Sequence, residues 1–274
     1  MAGERIDYTA AAAVEAARSV LLELTHILGE YRDDMVLVSG WIPELLIPQS
    51  QERHIGSIDV DLALNHKELT EAGYRMIGEI LLRHGYSQDK QQPFIFRKTV
   101  RGQVVQVDFL AGEYGGTGKS RRTQKALDMQ PRKARGCDLA FQIEPAKVSV
   151  KGKLPDGAVD EVQVQVASVV PFLVMKGMAL EDRRNAKDAY DIYFVLHNHP
   201  GGVEAVVKAF KPHLQLALVK EGLKKIAGKF ATLDHVGPKD VAEFDETLDD
   251  EERTICQRDA FEKVNFLLQQ LGIA

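Results

Sequence analysis

Asp59 and Asp61 stand one residue apart in Ile58-Asp-Val-Asp-Leu-Ala-Leu64, a run that alternates acidic or small residues with aliphatic ones. Period-two alternation is the signature of a strand with one polar face, so both carboxylates project from the same side, about 7 Å apart at the backbone. Hard carboxylate oxygens at that spacing suit Mg²⁺ or Mn²⁺, which keep coordination positions open for substrate phosphates. Two such ions can clamp the attacking and leaving oxygens of an in-line phosphoryl displacement. Asp108 is the one charge in a second apolar run, Val104-Val-Gln-Val-Asp-Phe-Leu110. A lone buried carboxylate is costly unless it is paired or binds metal. Roughly one Asp-x-Asp pair is expected by chance in a chain of this size, so the pair alone says little. Its weight comes from lying in a strand, where Asp is disfavoured, and from the third aspartate in another strand. It comes also from the small-residue turn Ser39-Gly40 between a strand and a helix, since a helix N-terminus after such a turn offers backbone N–H groups to phosphate.

Further along, Lys176 and Arg183 are seven residues apart on a predicted helix, hence on one face and able to reach a triphosphate together. Solvated charges on an amphipathic helix are the plainer alternative. Asp188 and Asp191 are spaced to form local ion pairs with Lys187 and Arg183. A third group of charges lies between positions 112 and 135, where apolar periodicity disappears and a long exposed loop is expected. It holds Lys119, Arg121, Arg122, Lys125, Arg132, Lys133 and Arg135 against the single Asp128. On a chain of net charge -5 this is a local footprint for a polyanion, or else a loop that is merely well solvated.

Other chemistries find less support. Gly115-Gly-Thr-Gly-Lys-Ser120 imitates a P-loop, but the spacing demands glycine at 113, where Glu113 stands, and no apolar helix follows. The eight histidines show no metal-ligand spacing, and His197 and His199 read as helix-end residues. No Gly-x-Ser-x-Gly elbow is present. Cys137 and Cys256 lie far apart and form neither a disulfide framework nor a thiolate zinc site. The acidic run from Asp240 to Glu252 reads as a solvated helix face, with contact to a basic partner as the alternative. The 35 basic and 40 acidic residues exclude a polycation that coats nucleic acid with its whole surface. No stretch approaches the ~20 apolar residues of a membrane span, and the charged N-terminus lacks an apolar signal core, so a cytoplasmic protein is expected.

The elements that must position these residues fall into two groups. Strands are expected at 35–38, 58–64, 94–98, 104–110, 148–151 and 161–166, with helices at 8–31, 41–47 and 69–84. Arg101-Gly102 is a predicted hairpin turn. From Ser168 onward the pattern is helical, near 171–184, 188–197, 203–210, 213–229 and 239–271. The expectation is an α+β protein: a mixed-sheet core over 1–167, then a C-terminal helical region over 168–274 that completes the active site.

In these residues the chain resembles the nucleotidyltransferase superfamily with the DNA polymerase β fold, and within it the AbiEii and MenT toxin branch. The resemblance rests on three features of the first half: the Ser39-Gly40 turn, the strand Ser57-Ile-Asp59-Val-Asp61 and the third carboxylate Asp108. It rests also on Lys176-Gly-Met-Ala-Leu-Glu-Asp-Arg183 followed by Lys187-Asp188-Ala-Tyr-Asp191. The chain departs from the pattern in the order of its Ser-Gly turn and in having Ile55 where the branch commonly has arginine. The resemblance implies a metal-dependent transfer of a nucleoside monophosphate from an NTP to an acceptor hydroxyl, with RNA, such as a tRNA end, as the acceptor it suggests and small molecules or protein hydroxyls as the open alternatives. It implies Asp59, Asp61 and Asp108 as metal ligands and catalytic groups, with Ser39, Gly40, Ser57, Arg183, Lys187 and Asp188 about the nucleotide. Lys176 would bind phosphate, and Asp191 or Asp188 would orient that lysine or the acceptor. It further implies a toxin with a separate antitoxin partner. The alternatives are a nucleotide- or RNA-binding module of the same fold without turnover, and a structural partner acting through its helical half.

Overall fold

The computed structural model describes residues 11–50, 52–113, 129, 131–183, 185–244 and 249–273. The chain is α+β, and it forms two compact units: residues 1–45 with 55–167, and residues 46–54 with 168–274. The short segment 46–54, expected in the sheet-bearing part, therefore belongs to the helical unit.

The first unit is built on a mixed sheet. Its strands are β1 (Met35–Val38), β2 (Asp59–Leu64), β3 (Ser87–Gln88), β4 (Ile95–Val100), β5 (Gln103–Ala111), β6 (Arg132–Lys133), β7 (Ala146–Lys153) and β8 (Val159–Val166). They run in the order β3-β4-β5-β2-β1-β8-β7, with β6 attached to β5. At the centre, β2 pairs parallel with β5, with Asp59 opposite Gln106 and Asp61 opposite Asp108. On its other side β2 pairs antiparallel with β1. Antiparallel β4 covers the free edge of β5 from Gln103 to Asp108, and parallel β6 takes over that edge at Leu110 and Ala111. The β4–β5 hairpin closes through Arg101 and Gly102, both at positive φ (50° and 80°), the requirement of a tight turn matching strand twist.

The alternation read from the sequence sorts the two faces of the sheet. Val60, Leu62 and Leu64 of β2 share a face with Val107, Phe109 and Ala111 of β5, and all are buried. The long helix α1 (Ala11–Ile27) lies on this side: its Glu23 receives hydrogen bonds from Lys98, which shares the face of Val105. Burying each large aliphatic side chain there stabilises the unit by about 1.5–3 kcal/mol. The carboxylates occupy the opposite face. Helices α2 (Ile42–Leu46), α3 (Glu71–Arg83) and α4 (Leu139–Gln142) complete the unit. Thr70 caps α3 by accepting from the Gly73 N–H.

The expected long exposed loop is corrected at its C-terminal end, because Met129 is fully buried and Arg132–Lys133 form β6. The Gly115–Ser120 stretch and Lys119, Arg121, Arg122 and Lys125 lie outside the described residues. Strands β7 and β8 run longer than expected, and β3 and α4 are elements the sequence pattern does not predict.

The second unit contains α5 (Val169–Asp182), α6 (Ala186–Asn198), α7 (Gly202–Phe210), α8 (Ala217–Lys229), α9 (Val236–Phe244) and α10 (Asp250–Gln270). The single helix expected over 239–271 is thus two. Asp249 begins the second with a capping box, accepting from the Glu251 and Glu252 N–H groups while the Glu252 carboxylate accepts from the Asp249 N–H. Helices α5 and α8 approach closely through glycine: a Cβ on Gly177 would meet the Gly222 carbonyl oxygen at 2.4 Å. Among the described residues, no helix is long and apolar enough to cross a membrane.

Candidate functional site

The parallel register of β2 and β5 brings Asp59, Asp61, Gln106 and Asp108 onto one face of the sheet. Each carboxylate is held from a different direction. Ser57 donates to Asp59 Oδ1 in a short contact, and the Trp41 indole N–H donates to the Asp59 carbonyl at 2.7 Å. The Ser39 hydroxyl bonds to Asp61. Gln106 Nε2 donates to Asp108 Oδ1 at 2.8 Å, while its own oxygen faces Arg97 Nη2 at 3.4 Å. Arg97 in turn is bound to Asp89 at 2.6 Å. An amide accepting from arginine must present its NH₂ to its other neighbour, so Gln106 is fixed as a donor to Asp108.

The Ser39-Gly40 turn is tightly wound. Ser39 takes a positive φ of 72°, a conformation that costs a non-glycine residue about 1–3 kcal/mol. The turn leads into a helix of only five residues, and the Ile42 N–H is spent on the Ser39 carbonyl. What the turn delivers is the Ser39 hydroxyl, aimed at Asp61. Ser57 likewise faces Asp59.

Electrostatically the face carries a surplus of negative charge. Burial, then the charges of Asp59 and Asp108, push the Asp61 carboxyl up to about 7. Burial also raises Asp108, against the opposing pull of Arg132 and Gln106. Arg132, read from the sequence with Lys133 and Arg135 as part of a basic loop that meets a polyanion or is merely solvated, belongs to this face. It stands opposite Leu110 in register, two residues beyond Asp108, and its Nη2 lies 4.0 Å from Asp108 Oδ2. Arg135 is bound to Glu113 at 2.5 Å, and Lys133 is half-buried on β6.

The donor set suits a hard divalent cation: three carboxylates, two of them with proton affinity raised by burial and by neighbouring charge. Among the described residues, however, no three acidic, histidine or cysteine side chains already converge as a preformed metal cage. Any cation held here would complete its shell with water or phosphate oxygens, as Mg²⁺ commonly does.

In the helical unit the remaining candidates form a buried ionic cluster. Lys176 Nζ donates to Asp188 Oδ1 at 2.7 Å and lies 2.6 Å from Asp191 Oδ2. Lys187 Nζ reaches Asp191 at 3.1 and 3.2 Å. Arg183 grips Asp188 with Nε at 2.8 Å and Nη2 at 3.0 Å. Arg183 is not on the face of α5: it follows the helix in extended conformation (φ -142°) and turns back to Asp188. Both aspartates therefore hold Lys176. Burial opposes the Lys176 charge, but Asp191 and Asp188 keep the ammonium above its ordinary value. Burial likewise opposes the Asp191 charge, and Lys176, Lys187 and His54 outweigh it and depress the carboxyl. Asp188 is depressed in the same way by Lys176 and Arg183.

His54 is the member that sequence reasoning missed. It is fully buried at its side chain, and its Nε2 lies 2.8 Å from Asp191 Oδ1. It stacks on Tyr190 (5.7 Å between centroids) and meets the edge of Phe194 (4.8 Å). An ionised carboxylate only accepts, so Nε2 carries the proton. Burial holds the imidazole below its ordinary value, and it is the neutral form that sits here. A lone histidine 137 positions from its partner leaves no spacing signal.

No protein-family model, curated protein or solved structure matches the chain.

Proposed function

We propose that this chain is a metal-dependent nucleotidyltransferase that uses the acidic face of its sheet. The observation that carries the reading is the register of β2 and β5, which sets Asp61 beside Asp108 with Asp59 on the same face. An acidic surplus buried to the point of raising a carboxyl to about 7 is costly for a fold, and sites retain such costs where chemistry uses them.

Asp59 and Asp61 would hold Mg²⁺ or Mn²⁺, which would supply charge neutralisation for the phosphates of an NTP, with Asp108 beside it to activate the acceptor hydroxyl. Ser57 and Ser39 fix the rotamers of Asp59 and Asp61, so the carboxylates need little reorganisation. Asp108, steadied through Oδ1 by Gln106, keeps Oδ2 for the proton of the acceptor hydroxyl. As that proton leaves, the acceptor oxygen bonds to the α-phosphorus. The bond from that phosphorus to the bridging oxygen breaks, and pyrophosphate departs with the electron pair. The acceptor favoured here is an RNA hydroxyl, a tRNA end among them, and the role that follows from the resemblance is a toxin held by an antitoxin protein. In this reading Lys176, Asp188, Asp191 and His54 form the helical unit's internal framework.

The test is label transfer. Purified protein is incubated with each α-labelled NTP, Mg²⁺ or Mn²⁺ and total RNA, beside an Asp59→Ala/Asp61→Ala control. Metal-dependent label on RNA that vanishes in the control supports the enzyme, and no transfer under any metal and NTP refutes it. A nucleotide-binding module without turnover is favoured by one observation, the absence of a preformed three-donor cage among the described residues. It predicts NTP binding with no labelled product.

A further inference from the structure

We propose that Arg132 is an anion-binding residue that grips the non-transferred phosphates of a triphosphate beside Asp59, Asp61 and Asp108. The inference rests on the nucleotidyl-transfer reading and names the group that would recognise the pyrophosphate portion of the substrate.

Arg132 is held in place by the fold. Strand β6 pairs with β5 just where β4 stops, which sets Arg132 opposite Leu110. Leu110 and Asp108 are two apart on one strand, so Arg132 projects from the same face as the carboxylates. Its guanidinium carbon lies 5.8 Å from the centroid of the Phe94 ring, a stacking surface suited to a planar cation.

The donors of this guanidinium are poorly spent. Nε is buried and has no hydrogen-bond partner among the described residues. Nη2 stands 4.0 Å from Asp108 Oδ2, beyond hydrogen-bond reach. The same molecule shows what an arginine committed to a carboxylate looks like: Arg183 closes on Asp188 with two nitrogens at 2.8 and 3.0 Å. Arg132 makes no such fork, and 41% of its side chain is exposed. A buried donor left unmade is expensive, and phosphate oxygens are acceptors whose geometry a guanidinium fork matches. A polyphosphate approaching three carboxylates is repelled unless cations stand on both sides of it. Arg132 supplies a fixed one next to the site that a metal would occupy.

The plainer role, screening of the carboxylates alone, makes the opposite forecast, and binding measurements separate the two. Wild type, Arg132→Gln and Arg132→Lys are titrated with Mn²⁺ alone by electron paramagnetic resonance, then with inorganic tripolyphosphate in saturating Mn²⁺ by calorimetry. Folding is checked by the fluorescence of Trp41. Arg132→Gln is expected to bind Mn²⁺ at least as tightly as wild type and to bind tripolyphosphate about ten- to a hundredfold more weakly, with Arg132→Lys recovering part of the loss. Equal tripolyphosphate affinity in wild type and Arg132→Gln, with Mn²⁺ binding intact, overturns the role of Arg132 and leaves the wider reading standing. Failure of the wild type to bind either probe removes both. If Arg132→Gln does not fold, Arg132→Lys is read alone: it replaces the planar fork with a point charge, and unchanged affinity then counts against the proposal.

Discussion

Neutralising Asp61 should make the protein more stable, and by an amount that depends on pH in a specified direction. In the fold its carboxyl is raised from 3.8 to about 7 by burial and by Asp59 and Asp108. Each tenfold change in proton affinity is worth ~1.4 kcal/mol, so the ionised group costs the folded state roughly 4 kcal/mol above pH 7. Between 3.8 and about 7 the folded chain binds more protons than the unfolded one, so this cost shrinks as pH falls and is gone below 3.8. Asp61→Asn keeps the shape, removes the charge and leaves an amide that the Ser39 hydroxyl can still meet. Allowing for imperfect pairing of that amide, about half the cost should be recovered, ~2 kcal/mol at pH 8, falling toward zero near pH 4. The single tryptophan makes the measurement local, since Trp41 is buried and its indole N–H bonds to the Asp59 carbonyl. Urea unfolding followed by Trp41 fluorescence, in chelator, at pH 8 and pH 4.5, gives both differences. An Asn variant no more stable than wild type at pH 8, or a gain as large at pH 4.5 as at pH 8, would refute the reasoning.

Other expectations follow from the same geometry. Mn²⁺ should raise the melting temperature of wild type and leave that of Asp59→Asn/Asp61→Asn unmoved, as read by differential scanning fluorimetry; equal shifts in both would place the ion elsewhere. Lys176→Ala removes the one cation that two buried carboxylates share, leaving Asp188 to Arg183 and Asp191 to Lys187 and His54, and should cost about 3 kcal/mol, measured as a lowered urea midpoint by far-ultraviolet circular dichroism. His54 is held below its ordinary 6.5, so the fold binds fewer protons there than the unfolded chain. Its contribution is fully present above 6.5 and declines as pH drops, opposite in sign to that of Asp61, and His54→Gln should flatten the helical unit's stability between pH 7 and 5. Gly177→Ala forces a methyl against the Gly222 carbonyl and should destabilise by about 1–3 kcal/mol, with amide exchange accelerating in α5 and α8.

The parts of the site legible in the sequence are those written as local periodicity. Asp59-Val-Asp61 reads as a polar strand face because Val60 and Leu62 must go the other way, and the structure has them buried. Asp108 amid aliphatic residues is conspicuous for the same reason. That the two strands are adjacent and in register is a tertiary fact that no spacing encodes. Arg132 reads as one of a set of loop cations because two residues of strand offer no period to detect. The buried Lys176–Asp188–Asp191 cluster is half visible: its local pairs follow from helical spacing, but Arg183 lies beyond the end of α5. His54 leaves no trace at all. The split after α9 has a written signal, Asp249 and Glu252 at capping-box spacing, hidden by the acidity around it.

The excursion of residues 46–54 bears on how this protein can be dissected. A single cut after Ala167 does not yield two self-sufficient fragments: the C-terminal piece would lack the imidazole that meets Asp191, and the N-terminal piece would carry Ile47, which is buried in the intact chain and belongs to the helical unit. Co-expressed halves, or a chain reconnected so that this stretch travels with the helices, are the forms in which either part can be studied alone.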